Sequence, residues 1–472
     1  MAYTTINKSS LQHNAKIYSG NYASGHAITG VGFQPDWTWI KDRGDTSYHI
    51  ITDSVRGATK TINSNGATEE ITNAEHLQSF NSDGFTVGQS NALNQSGVSN
   101  IAWNWKAGGT APTKTYHVVV VSDSGNKYRF RDTADTTTFG ASAVTLDLQE
   151  GGTYTFDVSD STMNSHPFVI GTAANSSEYS TGVTYKLDGV TKTYSQYHSG
   201  FSAATSRQLI ITVAASAPAL YYWCFYHSGM GGAINTNATF GSSNFDGSKQ
   251  SLVSANSTSG FSIIKYTGSG SSSTIGHGLS SAPGMIIVKR TSDSDSWTVY
   301  HKNRGAGKYL RLDTSAAESS NTSTWANTSP TSTVFSVNHA DTNDNNRTFI
   351  AYCFAEVTGY CKLGAYVGNG NASGTFTYTG FKPSFVILKN VSDSGDNWTM
   401  YDNKRDINNP ANRLLFAQDN TADSSGNNMD IFSNGFKQKN TSNGNNGSTD
   451  NFIYMAFGQT IVGSNNVPAT AR

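Results

Sequence analysis

Pro35-Asp36-Trp37-Thr38-Trp39-Ile40-Lys41 is the stretch from which the fold can be read, because it occurs three times. It returns as Pro283-Gly284-Met285-Ile286-Ile287-Val288-Lys289 and as Pro383-Ser384-Phe385-Val386-Ile387-Leu388-Lys389. Alternation of large apolar residues (Trp37/Trp39, Met285/Ile287, Phe385/Ile387) predicts a β-strand with one face buried. A proline fits at the start of such a strand, where no ladder donor is lost. Seventeen residues before each proline stands the tyrosine of a Tyr-x-Gly: Tyr18/Gly20, Tyr266/Gly268 and Tyr366/Gly368. Arg56, Arg304 and Arg405 follow the prolines by 21, 21 and 22 residues, and each copy closes on Ile-x-x-x-aromatic: Ile101/Trp105, Ile350/Phe354 and Ile453/Phe457. Gly57 and Gly305 follow the first two arginines, and Asp406 replaces the glycine in the third copy. Several shared offsets in three copies predict one repeated fold. The aromatics read as core, and the Lys and Arg as groups that cap the sheet or pair locally. The functional alternative is that Arg and aromatics at strand ends line a glycan groove.

Copies 2 and 3 are 100 residues apart, proline to proline, whereas copies 1 and 2 are 248 apart. A second kind of domain is therefore inserted after the first copy, entered through the Gly-rich stretch at 108–110. The expected organisation is 1–110 (repeat 1), 111–236 (insert), 237–364 (repeat 2) and 365–472 (repeat 3). Composition agrees with an all-β chain. The 472 residues include 46 Gly, 23 Tyr, 23 Phe and 8 Trp, and only 14% are charged. Ser, Thr, Asn and Gly supply turns, and aromatics suit pleated strands. A net charge of −1 speaks against a nucleic-acid partner, which calls for clustered Lys and Arg. No apolar run reaches membrane-spanning length. The N-terminus lacks the basic and apolar segments of a secretory signal. Three cysteines, Cys224, Cys353 and Cys361, cannot form a disulfide framework. No phosphate-binding glycine loop, His-Glu-x-x-His or Gly-x-Ser-x-Gly is present, so no enzyme is expected.

The insert shows apolar or alternating runs at 116–121, 127–130, 144–148, 153–158, 168–170 and 208–213, divided by turn residues such as Gly151-Gly152. About seven short strands predict a Greek-key sandwich. Its last hairpin reads Leu220-Tyr221-Tyr222-Trp223-Cys224-Phe225-Tyr226-His227-Ser228-Gly229-Met230, a Cys-x2-His-x2-Met in a tight loop. A thiolate, an imidazole and a thioether are three of the four ligands of a blue-copper site. His166, in Asn164-Ser165-His166-Pro167-Phe168, is the leading candidate for the second imidazole, ahead of His117 and the loop-like His198.

The repeat resembles an uncharacterised family of concanavalin-like sandwich domains in virion proteins of marine tailed bacteriophages. Its phrases are Met1-Ala2-Tyr3-Thr4-Thr5-Ile6-Asn7-Lys8-Ser9, Gly32–Trp37, Asp53-Ser54-Val55-Arg56-Gly57-Ala58, Ala102–Gly109, Ile350–Glu356 and Val467-Pro468-Ala469-Thr470-Ala471-Arg472. This resemblance implies a virion surface protein, as tail fibre, appendage or capsid decoration, that binds or shields rather than catalyses. Implied with it are other virion proteins and a host-surface glycan or receptor as partners, homo-oligomerisation, and synthesis in the host cytoplasm without a signal peptide. The insert resembles the cupredoxins, especially those with the shortest ligand loop, such as amicyanin. That resemblance carries over His166, Cys224, His227 and Met230 as ligands of a single copper ion, and makes a copper electron-transfer protein the alternative function. Two departures stand out. Tyr226 occupies a position where many cupredoxins have proline, and the 58 residues from His166 to Cys224 imply an inserted loop at about 172–200.

Overall fold

A computed structural model describes residues 4–237 and 239–459. The first three residues and the closing phrase at 467–472 lie outside the described residues. The protein is all-β, in several sheets with a few short helices. Among the described residues no helix is long and apolar enough to cross a membrane. Two compact units are present. One is built from the chain up to Ala107, from Ala255–Ser273 and from Gly278 onward; the other is Gly108–Ser254 with Thr274–His277.

The first unit holds all three copies. Each builds the same antiparallel sheet. In copy 1 the order is His13–Ser19, Ser99–Trp105, Trp37–Asp42, Ile50–Asp53. Copy 2 repeats it with Phe261–Thr267, Thr348–Phe354, Met285–Arg290, Thr298–His301, and copy 3 with Cys361–Val367, Asn451–Gly458, Pro383–Asn390, Thr399–Asp402. The registers coincide: Trp37 lies opposite Trp105, Met285 opposite Phe354, Phe385 opposite Phe457. A second layer covers one face, formed in copy 1 by His26–Thr29, Gly84–Val87 and Leu77–Asn81.

The structure differs from the sequence expectation on the other face. All six residues of Trp37–Asp42 are buried, as are five of six in Met285–Arg290. Ile40, Val386 and Leu388 enter the cores of their own sandwiches. The alternating set on the opposite face packs against the neighbouring copies. Trp37 stacks on Tyr352 (ring centroids 4.6 Å) and meets Phe261 and Phe354; Trp105 meets Phe385 and Phe457 edge-on. Aromatic pairs in this geometry add to plain area burial.

The repeated Lys and Arg close the three copies into a ring. The ammonium groups of Lys41, Lys289 and Lys389 are fully buried and donate to backbone carbonyls. Lys289 reaches Ala67 of copy 1 at 3.1 Å, and Lys389 reaches Ser315 of copy 2 at 3.1 Å. Three acids tie edge to edge through their N–H groups: Glu70 to Thr291 O, Glu318 to Val391 O and Asp423 to Arg43 O, at 3.1, 3.2 and 2.9 Å. Copy 1 thus holds copy 2, copy 2 holds copy 3, and copy 3 returns to copy 1. Each acid is in turn paired by its copy's repeated arginine, Arg56, Arg304 or Arg405. These arginines are therefore committed to the junctions, Arg56 and Arg405 fully inside them.

The second unit is a two-sheet sandwich. One sheet runs Asn126–Phe130, Thr113–Ser122, Thr153–Asp157, Arg207–Thr212, Val183–Leu187, Val190–Lys192; the other runs Leu146–Gln149, Ala233–Asn237, Leu220–Cys224, Phe168–Ala173, Ser176–Glu178. Thr113–Ser122 pairs with Thr153–Asp157 in parallel, and so does Leu146–Gln149 with Ala233–Asn237. Phe130, Phe156, Phe168, Leu209 and Tyr222 fill the core. The stretch expected as an inserted loop at 172–200 is instead ordered as three short strands and the helix Tyr194–Gly200. Thr193 and Gln196 form a reciprocal capping box that starts this helix, satisfying N–H groups otherwise left without partners.

Candidate metal centre

Strand Leu220–Cys224 pairs antiparallel with Phe168–Ala173, placing Cys224 opposite Phe168. That register sets the thiol at the sandwich end where Ser161–Met163, a short 3-10 turn, delivers His166 through a bond from His166 N–H to Met163 O (2.8 Å). The chain then turns through Phe225-Tyr226 and returns His227. Gly229 takes a positive φ of 73° in this loop. Gly231 passes so close to Tyr222 that a Cβ would lie 1.7 Å from its carbonyl oxygen, so the return path needs glycine.

Three ligand atoms converge. Cys224 Sγ lies 3.4 Å from His227 Nδ1 and 3.7 Å from His166 Nδ1, and the two imidazole nitrogens are 3.1 Å apart. Bonds of about 2.3 Å to sulfur and about 2.0–2.1 Å to nitrogen, at tetrahedral to trigonal angles, separate the donor atoms by roughly 3.3–3.8 Å. The observed separations fit one ion bound by all three, with a slight closing of the nitrogen pair. Burial, then the neighbouring His227, push the His166 imidazole below its usual range, which favours the neutral form that a ligand must have. Cys224 and His166 are buried; His227 is exposed. Met230, three residues on in the same loop, is 1% exposed.

Around the cluster, Tyr128 holds two of these segments. Its N–H donates to Met230 O and its hydroxyl to His166 O, both at 2.9 Å. Asn126 Nδ2 lies 3.4 Å from His166 Nε2, the outward nitrogen when Nδ1 faces the ion. Sequence reasoning did not single out Tyr128 or Asn126; their only signal is position beside the turn at 122–125. Of the lesser histidine candidates, His117 sits 3.7 Å from Asp157 and 3.8 Å from Asp135, apart from the cluster. His198 stacks on Phe225.

Among known proteins, the chain matches the model of a family described as a domain of unknown function (DUF7483) over residues 8–222 and again over 190–460. No curated protein matches it, and no solved structure matches it. With matches that between them run from residue 8 to residue 460, the chain belongs to the DUF7483 family.

Proposed function

We propose that the Gly108–Ser254 unit binds a single copper ion through His166, Cys224, His227 and Met230. The convergence of two Nδ1 atoms and one thiol sulfur within 3.1–3.7 Å of each other carries this reading. A thiolate with two imidazoles, and a buried methionine in the same loop to offer a thioether, is a donor set suited to copper, and to reversible one-electron exchange there. Cys224 supplies the dominant thiolate, His166 fixes the inner side, and His227 holds the solvent-facing side. The exposure of His227 favours electron exchange at the surface as the activity of this unit. Added Cu(II) should give an intense visible band that Cys224→Ser removes and Met230→Leu retains. Copper-loaded protein without colour defeats the reading.

For the whole chain we propose the role of a bacteriophage virion surface protein, a fibre, appendage or capsid decoration, that binds or shields and catalyses nothing. The repeat phrases carry this reading, and three sandwiches interlocked by buried lysines and arginines suit a module that must stay folded while exposed. Its partners would be other virion proteins and a host-surface glycan or receptor, with several copies acting together by avidity. Antibody against the protein should decorate intact particles; presence in infected-cell lysate but absence from purified particles overturns it.

A further inference from the structure

The chain between His166 and Cys224 makes three separate contacts with the loop that runs from Cys224 to Met230, and one with the segment that carries His166. The first is a ring stack: His198 lies flat on Phe225, centroids 3.7 Å apart and planes 10° from parallel. Tyr194, one helical turn earlier, meets the edge of Phe225 at 5.7 Å. The second contact is Tyr226, whose hydroxyl donates to His198 O at 3.1 Å. Phe225 and Tyr226 are the two residues between the ligands Cys224 and His227. The third is Asn175, at φ 61° in the turn joining Phe168–Ala173 to Ser176–Glu178, whose Oδ1 accepts from Gly229 N–H at 3.0 Å. On the His166 side, Ser202 Oγ donates to Asn164 O at 2.7 Å. The helix itself is fixed from beneath, because Tyr197 and Phe201 are fully buried in the core. His198 Nδ1 is buried without a hydrogen-bond partner, so stacking is what this ring contributes.

We propose that residues 172–204 form a clamp that holds the Cys224–Met230 loop at metal-binding spacing, with His198 and Asn175 as positioning residues. The proposal rests on the copper reading. It also accounts for Tyr226: the rigidity a proline lends this loop is supplied from outside, by a helix that grips the residue standing in its place. A clamped loop keeps its donors together before the ion arrives, which slows release and fixes ligand geometry, the usual consequence of locking a site's supporting residues.

The test uses the full chain and Cu(II) alone. His198→Ala should release copper to a chelator about five- to tenfold faster than wild type and shift the charge-transfer band. His198→Phe, which keeps the stack, should restore both to within about twofold. Asn175→Gly, which keeps the backbone turn but removes the amide, should also speed release. A second readout is independent of metal: in metal-free protein, His198→Ala should raise amide hydrogen exchange at 225–229. Unchanged release, spectrum and exchange in His198→Ala overturn the clamp. A wild-type protein that binds no Cu(II) overturns the metal reading instead, and the exchange measurement then decides the clamp by itself.

Discussion

Arg405→Met should separate the three-copy ring from its stability more sharply than any other single change. The guanidinium is fully buried. It bonds Asp402 Oδ2 at 2.6 Å, Asp423 Oδ1 at 2.9 Å and Met400 O at 2.7 Å, and lies over the Trp103 ring at 5.5 Å. Asp402 is fully buried and its carboxyl is held below the usual range: burial opposes ionisation, but the Arg405 charge and three hydrogen bonds outweigh it. Methionine replaces the volume and leaves the buried Asp402 without its cation, while Asp423 keeps only its pair with Arg43 at 2.7 Å. Breaking one partner of a buried ion pair costs about 3–5 kcal/mol. For a unit of about 320 residues, with an unfolding entropy of about 2.1 cal/mol/K per residue, that is roughly 4–8 °C in Tm. Arg304→Met is the internal control, since its pair with Glu318 is partly exposed and pairs of that kind contribute roughly 0–1 kcal/mol. The penalty also has a pH signature. A carboxyl with a depressed folded pKa stabilises above its unfolded pKa, about 3.9, and loses that contribution as pH falls through the folded value. The gap between wild type and Arg405→Met should therefore be full at pH 7 and shrink below about pH 4. Scanning calorimetry from pH 3 to pH 8 reads both effects. A Tm within about 1 °C of wild type at pH 7, or equal losses in Arg304→Met and Arg405→Met, refutes the account of the junctions.

Three further outcomes follow from named groups. Lys41, Lys289 and Lys389 are each lowered by burial to about 8. The unfolded chain keeps those protons up to about pH 10.4, so this contribution to stability should rise from pH 8 to pH 10; chemical denaturation showing a fall across that window contradicts it. His13 is lowered to about 3 by burial, with both ring nitrogens unpaired among Trp105, Phe385 and Phe457, and its counterpart in copy 2 is Phe261. Between pH 6.5 and pH 3 the unfolded chain takes up a proton the folded one refuses, so stability is lost as pH falls; His13→Phe should raise Tm by a few degrees, more at pH 5 than at pH 8, and a lower Tm at pH 5 refutes the reading. Met230→Leu should keep copper and raise its reduction potential, because the thioether is the weak axial donor; voltammetry showing an unchanged or lower potential contradicts that role for Met230.

The strands around Pro35, Pro283 and Pro383 were legible because alternation and a leading proline are local properties. What covers their outer face was not. The Trp37/Trp39 alternation reports one apolar face, but Thr38 and Ile40 are buried as well, Ile40 in the core of its own sandwich, and it is a neighbouring copy that covers Trp37. The roles of Lys289 and Lys389 were hidden for the same reason, since their acceptors Ala67 O and Ser315 O lie far away in sequence, whereas Lys41 bonds the nearby carbonyls of Asp42 and Asp45. At the candidate metal centre, Cys224 and His227 could be read together because one short loop carries them, and His166 because it heads a strand; these three are the residues whose side chains converge. The helix at 194–200 escaped: seven residues give too little periodicity, although Thr193 and Gln196 carry a legible capping pair. His198 was read as loop-like and as a lesser ligand candidate, since sequence cannot tell an imidazole that binds from one that stacks.

X-ray absorption at the copper edge of protein loaded with one equivalent of Cu(II) tests the central claim most directly. The account predicts one short sulfur neighbour at about 2.2–2.3 Å and two nitrogens at about 2.0 Å, with the sulfur shell absent in Cys224→Ser. A shell of nitrogen and oxygen alone, identical in wild type and Cys224→Ser, would contradict it.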